Sequence, residues 1–286
     1  MTTPNREYKS SLFTDYFSDK ERLIEAYNAI AGTDFPKTTH IEFKTLGNIL
    51  HRSQINDIAF VLEDRFIVLI EHQSTINENM PLRLLLYISD IYKGLMSGDL
   101  LYGKKTTKIP TPEFFVIYNG RDEYPEKKVL KLSDAFIVPM REPSLELEVQ
   151  VINVSKGHNT ELLGQSTALS DYAVFVTFVK DRIDQGDDLE SAIDKAIHYC
   201  IENDIMCVYL QTQSSEVKRM ISLEWDDEIY REVLLKEGRE EGEVRGIEIG
   251  EAQALRDTAR KMKEKDYSYD VISDITGLSA EEIASL

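Results

Sequence analysis

The chain has 286 residues, 42% of them hydrophobic and 29% charged, with a formal net charge of −18. This is the make-up of a globular protein of one generous domain plus an appendage, and no run approaches the roughly 18–20 apolar residues of a membrane span. The acidity excludes a uniformly basic nucleic-acid surface and leaves room only for a local patch, such as Lys104, Lys105, Lys108, Arg121, Lys127 and Lys128.

The opening MTTPNREYKSSLFTDYF has neither the basic start nor the apolar stretch of a secretory signal. Cys200 and Cys207 form no CxxC pair, as expected of a chain kept in a reducing compartment. A cytoplasmic location without membrane attachment is expected.

Residues 11–32 read as one helix, with Ser18 and Glu21 as a capping box, Leu23, Ile24, Tyr27 and Ile30 as its apolar stripe, and Gly32 as its stop. A short extended segment follows over 41–50. Two apolar runs, Ile58–Leu62 and Phe66–Ile70, flank Glu63-Asp64-Arg65 and read as a hairpin of strands buried on both faces. Asn79 and Pro81 open a helix through Leu95. Beyond a basic loop at 103–113, Phe114–Tyr118 reads as a buried strand ended by the turn pair Asn119-Gly120. Leu145–Val154 alternates with acidic residues, as an edge strand does, and helices are expected near 165–183, 188–202 and 215–222.

The final sixty residues differ. Gly238, Gly242, Gly246 and Gly250 recur every four residues in a charged, helix-like stretch, and each costs about 1 kcal/mol relative to Ala. That spacing suits either close helix approach in a dimer or a flexible tether. Two short helices, 268–275 and 279–286, close the chain around Gly277, the second with a Ser279/Glu282 capping box. The expected organisation is an α/β domain over 1–225, with a helical subdomain at about 161–222, and a glycine-punctuated helical tail over 226–286.

The chemistry concentrates at the ends of the hairpin. Alternation along a strand puts Glu71 and Gln73 on one face and His72 on the other. With a three-residue loop, Leu62 pairs with Phe66 and Asp57 falls opposite Glu71, with Cβ atoms about 4.5–5.5 Å apart. Carboxylates that close repel unless neutralised, and a hard divalent cation such as Mg²⁺ or Mn²⁺ does this. A two-residue loop would separate them onto opposite faces. Arg65 is not the glycine that a three-residue loop prefers at its left-handed position. The alternative is that Asp57, Glu71 and Gln73 merely mark where strands leave the core. The five histidines show no zinc-ligand spacing, and no P-loop, GxGxxG or G-x-S-x-G is present.

The D-x₁₃-E-x-Q pattern after an apolar hairpin resembles the PD-(D/E)XK nuclease motif. Val68-Leu69-Ile70-Glu71-His72-Gln73-Ser74-Thr75, followed by Asn79-Met80-Pro81-Leu82-Arg83, resembles the Rpn family of recombination-promoting nucleases and putative transposases. So do Phe114–Gly120 and the tail ending in Ile275-Thr276-Gly277-Leu278-Ser279. The resemblance implies a restriction-endonuclease-like α/β core with a mixed sheet flanked by helices, and a Mg²⁺-dependent endonuclease acting on DNA with low sequence specificity in recombination or mobile-element biology. It makes Asp57 and Glu71 metal ligands, with the His72 backbone carbonyl as a third, and puts Gln73 where the wider motif has lysine.

A neutral amide orients water but brings neither base nor charge. By the same resemblance Arg83 and Tyr87, four apart on one helix face, form a substrate-binding pair. Arg83 suits a phosphate, the alternative being an ion pair with Asp90 or Glu78. Glu25 is the candidate first-helix acid, or else a solvated helix position. The competing functional expectation is a non-catalytic protein on a nuclease scaffold, self-associating through its tail as a dimer.

Overall fold

A computed structural model describes residues 11–44, 57–96, 104–222, 250 and 253–286. The chain divides into two compact units, Met1–Glu224 and Trp225–Leu286.

The N-terminal segment forms two helices rather than one, α1 (Leu12–Tyr16) and α2 (Lys20–Ala31). Ser11 and Thr14 make a capping box at α1. The N-cap of α2 is Asp19, whose carboxylate accepts from the Arg22 amide at 3.0 Å. Ser18, the cap expected from sequence, instead donates to the Asp15 carbonyl at 2.6 Å. Gly32 ends α2 with φ 68°, a left-handed turn that glycine makes without a Cβ clash.

The strands β1 (Ile41–Lys44), β2 (Asp57–Leu62), β3 (Phe66–Gln73), β4 (Thr111–Tyr118), β5 (Lys127–Lys131) and β6 (Glu148–Asn153) form one sheet in the order β1-β2-β3-β4-β6-β5. β1, β2 and β3 are antiparallel neighbours, β3, β4 and β6 run parallel, and β5 returns antiparallel to β6. β6 therefore lies inside the sheet, and the edge on that side is β5, whose mixed Lys/Val sequence carries little strand signal. The acidic alternation around β6 reflects its burial pattern, with Val149 and Val151 inward and Glu148 and Gln150 exposed.

Helix α3 (Met80–Leu95) covers one face. Its Met80, Leu84, Tyr87, Ile88 and Ile91 pack on Ala59, Val61, Ile67 and Leu69. The other face, with Ile58, Phe60, Leu62, Val68 and Ile70, packs under α1, α2 and helices Thr167–Asp184, Leu189–Glu202 and 207–222. The protein is thus a mixed α/β sandwich with helices on both sides of a six-stranded sheet.

The second unit is a small cluster of helix 253–263 with Tyr269–Thr276 and Ala280–Ser285, centred on Ala259, Ile272 and Ile283. The Ser279/Glu282 capping box is present. Gly238, Gly242 and Gly246 lie outside the described residues. Among the described residues, no helix is long and apolar enough to cross a membrane.

Candidate active site

The site depends on the parity of the β2–β3 turn. Glu63 and Asp64 both adopt positive φ, 53° and 56°, and the Arg65 amide donates to the Leu62 carbonyl at 3.0 Å. This is a turn of type I′ character, and Arg65 follows it as an extra residue, so Leu62 pairs with Phe66. The left-handed positions are thus Glu63 and Asp64 rather than Arg65. Two non-glycine residues in this region cost about 1–2 kcal/mol each. Burial of Phe60, Leu62, Ile67, Val68 and Leu69, each 0–1% exposed, contributes about 1.5–3 kcal/mol per side chain and outweighs that strain.

Counting outward from this turn, Asp57 pairs directly with Glu71. Both point toward α3, as does Gln73, while His72 points to the opposite face. Glu71 is 4% exposed. Its Oε1 accepts from Gln73 Nε2 at 2.8 Å and pairs with Arg83 Nη1 at 2.8 Å. Asp57 is half-buried as a residue, but its Oδ2, like Glu71 Oε2, is buried with no hydrogen-bond partner among the described residues. Burial and then the Glu71 charge push the Asp57 pKa well above the usual carboxylate range. Burial raises that of Glu71 as well, against the lowering pull of Arg83.

Arg83 pairs with neither Asp90 nor Glu78, which hold Lys93 and Lys128 respectively. Its Nε and Nη2 reach Tyr87 Oη at 3.4 and 3.1 Å while Nη1 reaches Glu71. Sequence spacing places Arg83 with Tyr87 but gives no sign of Glu71 as the third member. Met80, in the first turn of α3, closes the site from above with its sulfur against Gln73 and Arg83.

His72 stacks on Phe13 with ring centroids 5.4 Å apart and shares a 3.2 Å hydrogen bond between Nε2 and Tyr172 Oη. Burial, aided by the Lys180 charge, lowers its pKa to about 3. The imidazole is neutral at ordinary pH and sits across the sheet from the carboxylates, so its ring takes no proton there.

Glu25 is not brought to Asp57 and Glu71. Its Oε1 caps helix Thr167–Asp184, accepting from the Ala168 amide at 3.0 Å and Ser166 Oγ at 3.3 Å, and its Oε2 pairs with Lys37 at 3.3 Å. Of the suggested basic patch, Arg121 is paired with Asp184 and Lys128 with Glu78.

The strand ends are pinned by contacts that the sequence shows only as a turn signal. The Asn119 amide donates to the Gln73 carbonyl at 2.9 Å, and Lys180 Nζ donates to the Asn119 carbonyl. A Cβ at Gly120 would lie 2.1 Å from Tyr118 Oη and 2.3 Å from the Ser74 carbonyl, so only glycine fits without displacement.

Two buried carboxylates with unpartnered oxygens form a hard-oxygen donor set that suits a divalent cation. Among the described residues, no cluster of three or more His, Cys, Asp or Glu side chains could hold a metal ion. Fold and site define a mixed α/β protein with a carboxylate pair at the sheet's end. The chain belongs to the family described as "Putative transposase, YhgA-like", whose model matches residues 52–204, in agreement with the resemblance seen in the sequence. This membership ties the chain to mobile-element biology. Neither the curated proteins nor the solved structures contain a match.

Proposed function

We propose that the protein is a metal-dependent endodeoxyribonuclease with a PD-(D/E)XK-type site, hydrolysing phosphodiester bonds of DNA. The supporting observation is the Asp57–Glu71 pair, opposed across one ladder, with one buried oxygen of each reached by no donor among the described residues. Burying a carboxylate oxygen that no donor reaches is costly, and a site built to bind Mg²⁺ or Mn²⁺ accounts for keeping two side by side. Asp57 and Glu71, with the His72 backbone carbonyl, would hold the ion, which supplies water activation and stabilises charge on the scissile phosphate. Gln73 is tied through its amide nitrogen to Glu71, which leaves its oxygen to orient a water. Tyr87 and Glu71 hold Arg83, whose side chain is 28% exposed, and a phosphate entering the site would meet it there.

The test is plasmid cleavage in Mg²⁺ or Mn²⁺ by the protein and by Asp57→Ala. Cleavage by the former alone supports the assignment, whereas equal cleavage by both, or none by either, overturns it.

A second reading, self-association through the C-terminal unit, is favoured by its exposed apolar surface. Ile275, Tyr267, Tyr269 and Val271 are 41–59% exposed on a unit with a core of only a few residues. A dimer in sedimentation that dissociates in Ile275→Glu supports this reading, and a monomeric wild type overturns it.

A further inference from the structure

Gln73 Nε2 and Arg83 Nη1 converge on one atom, Glu71 Oε1, each at 2.8 Å. One donor is neutral and comes from the strand. The other is charged and comes from α3. Among the described residues, the salt bridge to either carboxylate is the one made by Arg83.

We propose that Arg83 is a positioning residue that delivers from α3 the fixed positive charge this site lacks at position 73. It holds Glu71 by Oε1, so that Glu71 Oε2 and Asp57 Oδ2 are left to bind a divalent cation. The inference rests on the metal-site reading above and specifies how that site is balanced.

Three observations support it. First, the guanidinium is anchored. Tyr87, fully buried, accepts from Nε and Nη2, and a planar fork held on one side has little freedom to swing. Second, the pattern of occupancy is complementary. Oε1 takes both donors, whereas the buried oxygens that no donor among the described residues reaches are one from each carboxylate. Third, position 73 and position 83 reach the same oxygen, so a cation at either place would act on Glu71 alike. The alternative that Arg83 serves only helix packing does not explain why its Nη1 turns to Glu71 while Glu78 and Asp90 take lysines.

The proposal gives opposite signs for two measurements. Removing a positive charge beside a cation site strengthens cation binding, while loosening Glu71 spoils alignment of the reacting groups. Arg83→Met is therefore expected to bind Mn²⁺ about tenfold more tightly by calorimetry and to cut plasmid at least about tenfold more slowly. General structural damage would weaken both. Adding Gln73→Lys to Arg83→Met is expected to return Mn²⁺ affinity and cleavage toward wild type. Gln73→Lys alone, which places two cations on Glu71 and does not depend on Arg83→Met folding, is expected to weaken Mn²⁺ binding.

Wild type that binds Mn²⁺, with Arg83→Met unchanged or weaker, overturns the proposal, as does a double variant no different from Arg83→Met. Absence of Mn²⁺ binding by wild type overturns both the metal-site reading and this inference. The expected affinity pattern without cleavage by any variant leaves the charge placement supported and removes the nuclease reading alone.

Discussion

Asp57 and Glu71 face one another across the β2–β3 ladder, and each keeps one buried carboxylate oxygen that no donor among the described residues reaches. Asp57→Asn would replace a buried ionisable group by a neutral one and present an amide donor to Glu71. In metal-free buffer this variant is expected to be more stable than wild type by about 1–2 kcal/mol, read as a rise of a few degrees in thermal melting. The stabilisation of wild type by Mn²⁺ should vanish in the variant. A lower melting point in metal-free Asp57→Asn would show that the two carboxylates are not in conflict.

The pair also sets a pH dependence. Both pKa values are raised in the folded chain, chiefly by burial, so the folded state holds a proton that the unfolded chain releases near pH 4. Its contribution is fully present below that value and is lost as pH rises through the elevated folded pKa. Melting of metal-free wild type relative to Asp57→Asn should therefore fall progressively from about pH 5 upward. A difference independent of pH would contradict the coupling.

His72 acts with the opposite sign. Its pKa drops from 6.5 to about 3 on burial, so below 6.5 the unfolded chain binds a proton that the folded chain refuses. Stability is lost as pH falls through that window. His72→Phe, which keeps the stacking on Phe13, is expected to flatten the acid limb of the melting curve. It should lose about 1 kcal/mol at neutral pH from the Tyr172 hydrogen bond.

Gly120 closes the strand ends that carry the site. Gly120→Ala would force its Cβ into Tyr118 Oη and the Ser74 carbonyl, at an expected cost of about 1–3 kcal/mol in urea unfolding. Because Ser74 adjoins Gln73, Mn²⁺ affinity should fall with stability. An alanine variant as stable as wild type would mean that the close approach is not maintained in solution.

Much of this site was legible in the sequence because its signals are local. Two short apolar runs, three charged residues between them and polar residues at their ends fix the alternation within each strand, while the positive φ of Glu63 and Asp64 chose the loop that pairs Leu62 with Phe66 and Asp57 with Glu71. Helix boundaries were read less well where two caps compete, as at Ser18 and Asp19, because cap choice depends on where the preceding turn places the chain. The edge strand β5 escaped notice because Lys127–Lys131 has one buried residue and pairs only through β6.

By itself the sequence determined the two strands of the hairpin, the separation of the His72 ring from Glu71 and Gln73, and the family to which the chain belongs, whereas the turn parity that sets Asp57 opposite Glu71 was decided by the structure. Only the tertiary structure decided the partners of the long charged side chains. Arg83 turned to Glu71 rather than to a helix neighbour, and Glu25 turned to the amide end of a helix more than a hundred residues away. The reason is physical. Strand alternation is set by adjacent backbone geometry, whereas a flexible charged side chain takes the opposite charge or unpaired donor that folding brings within its reach.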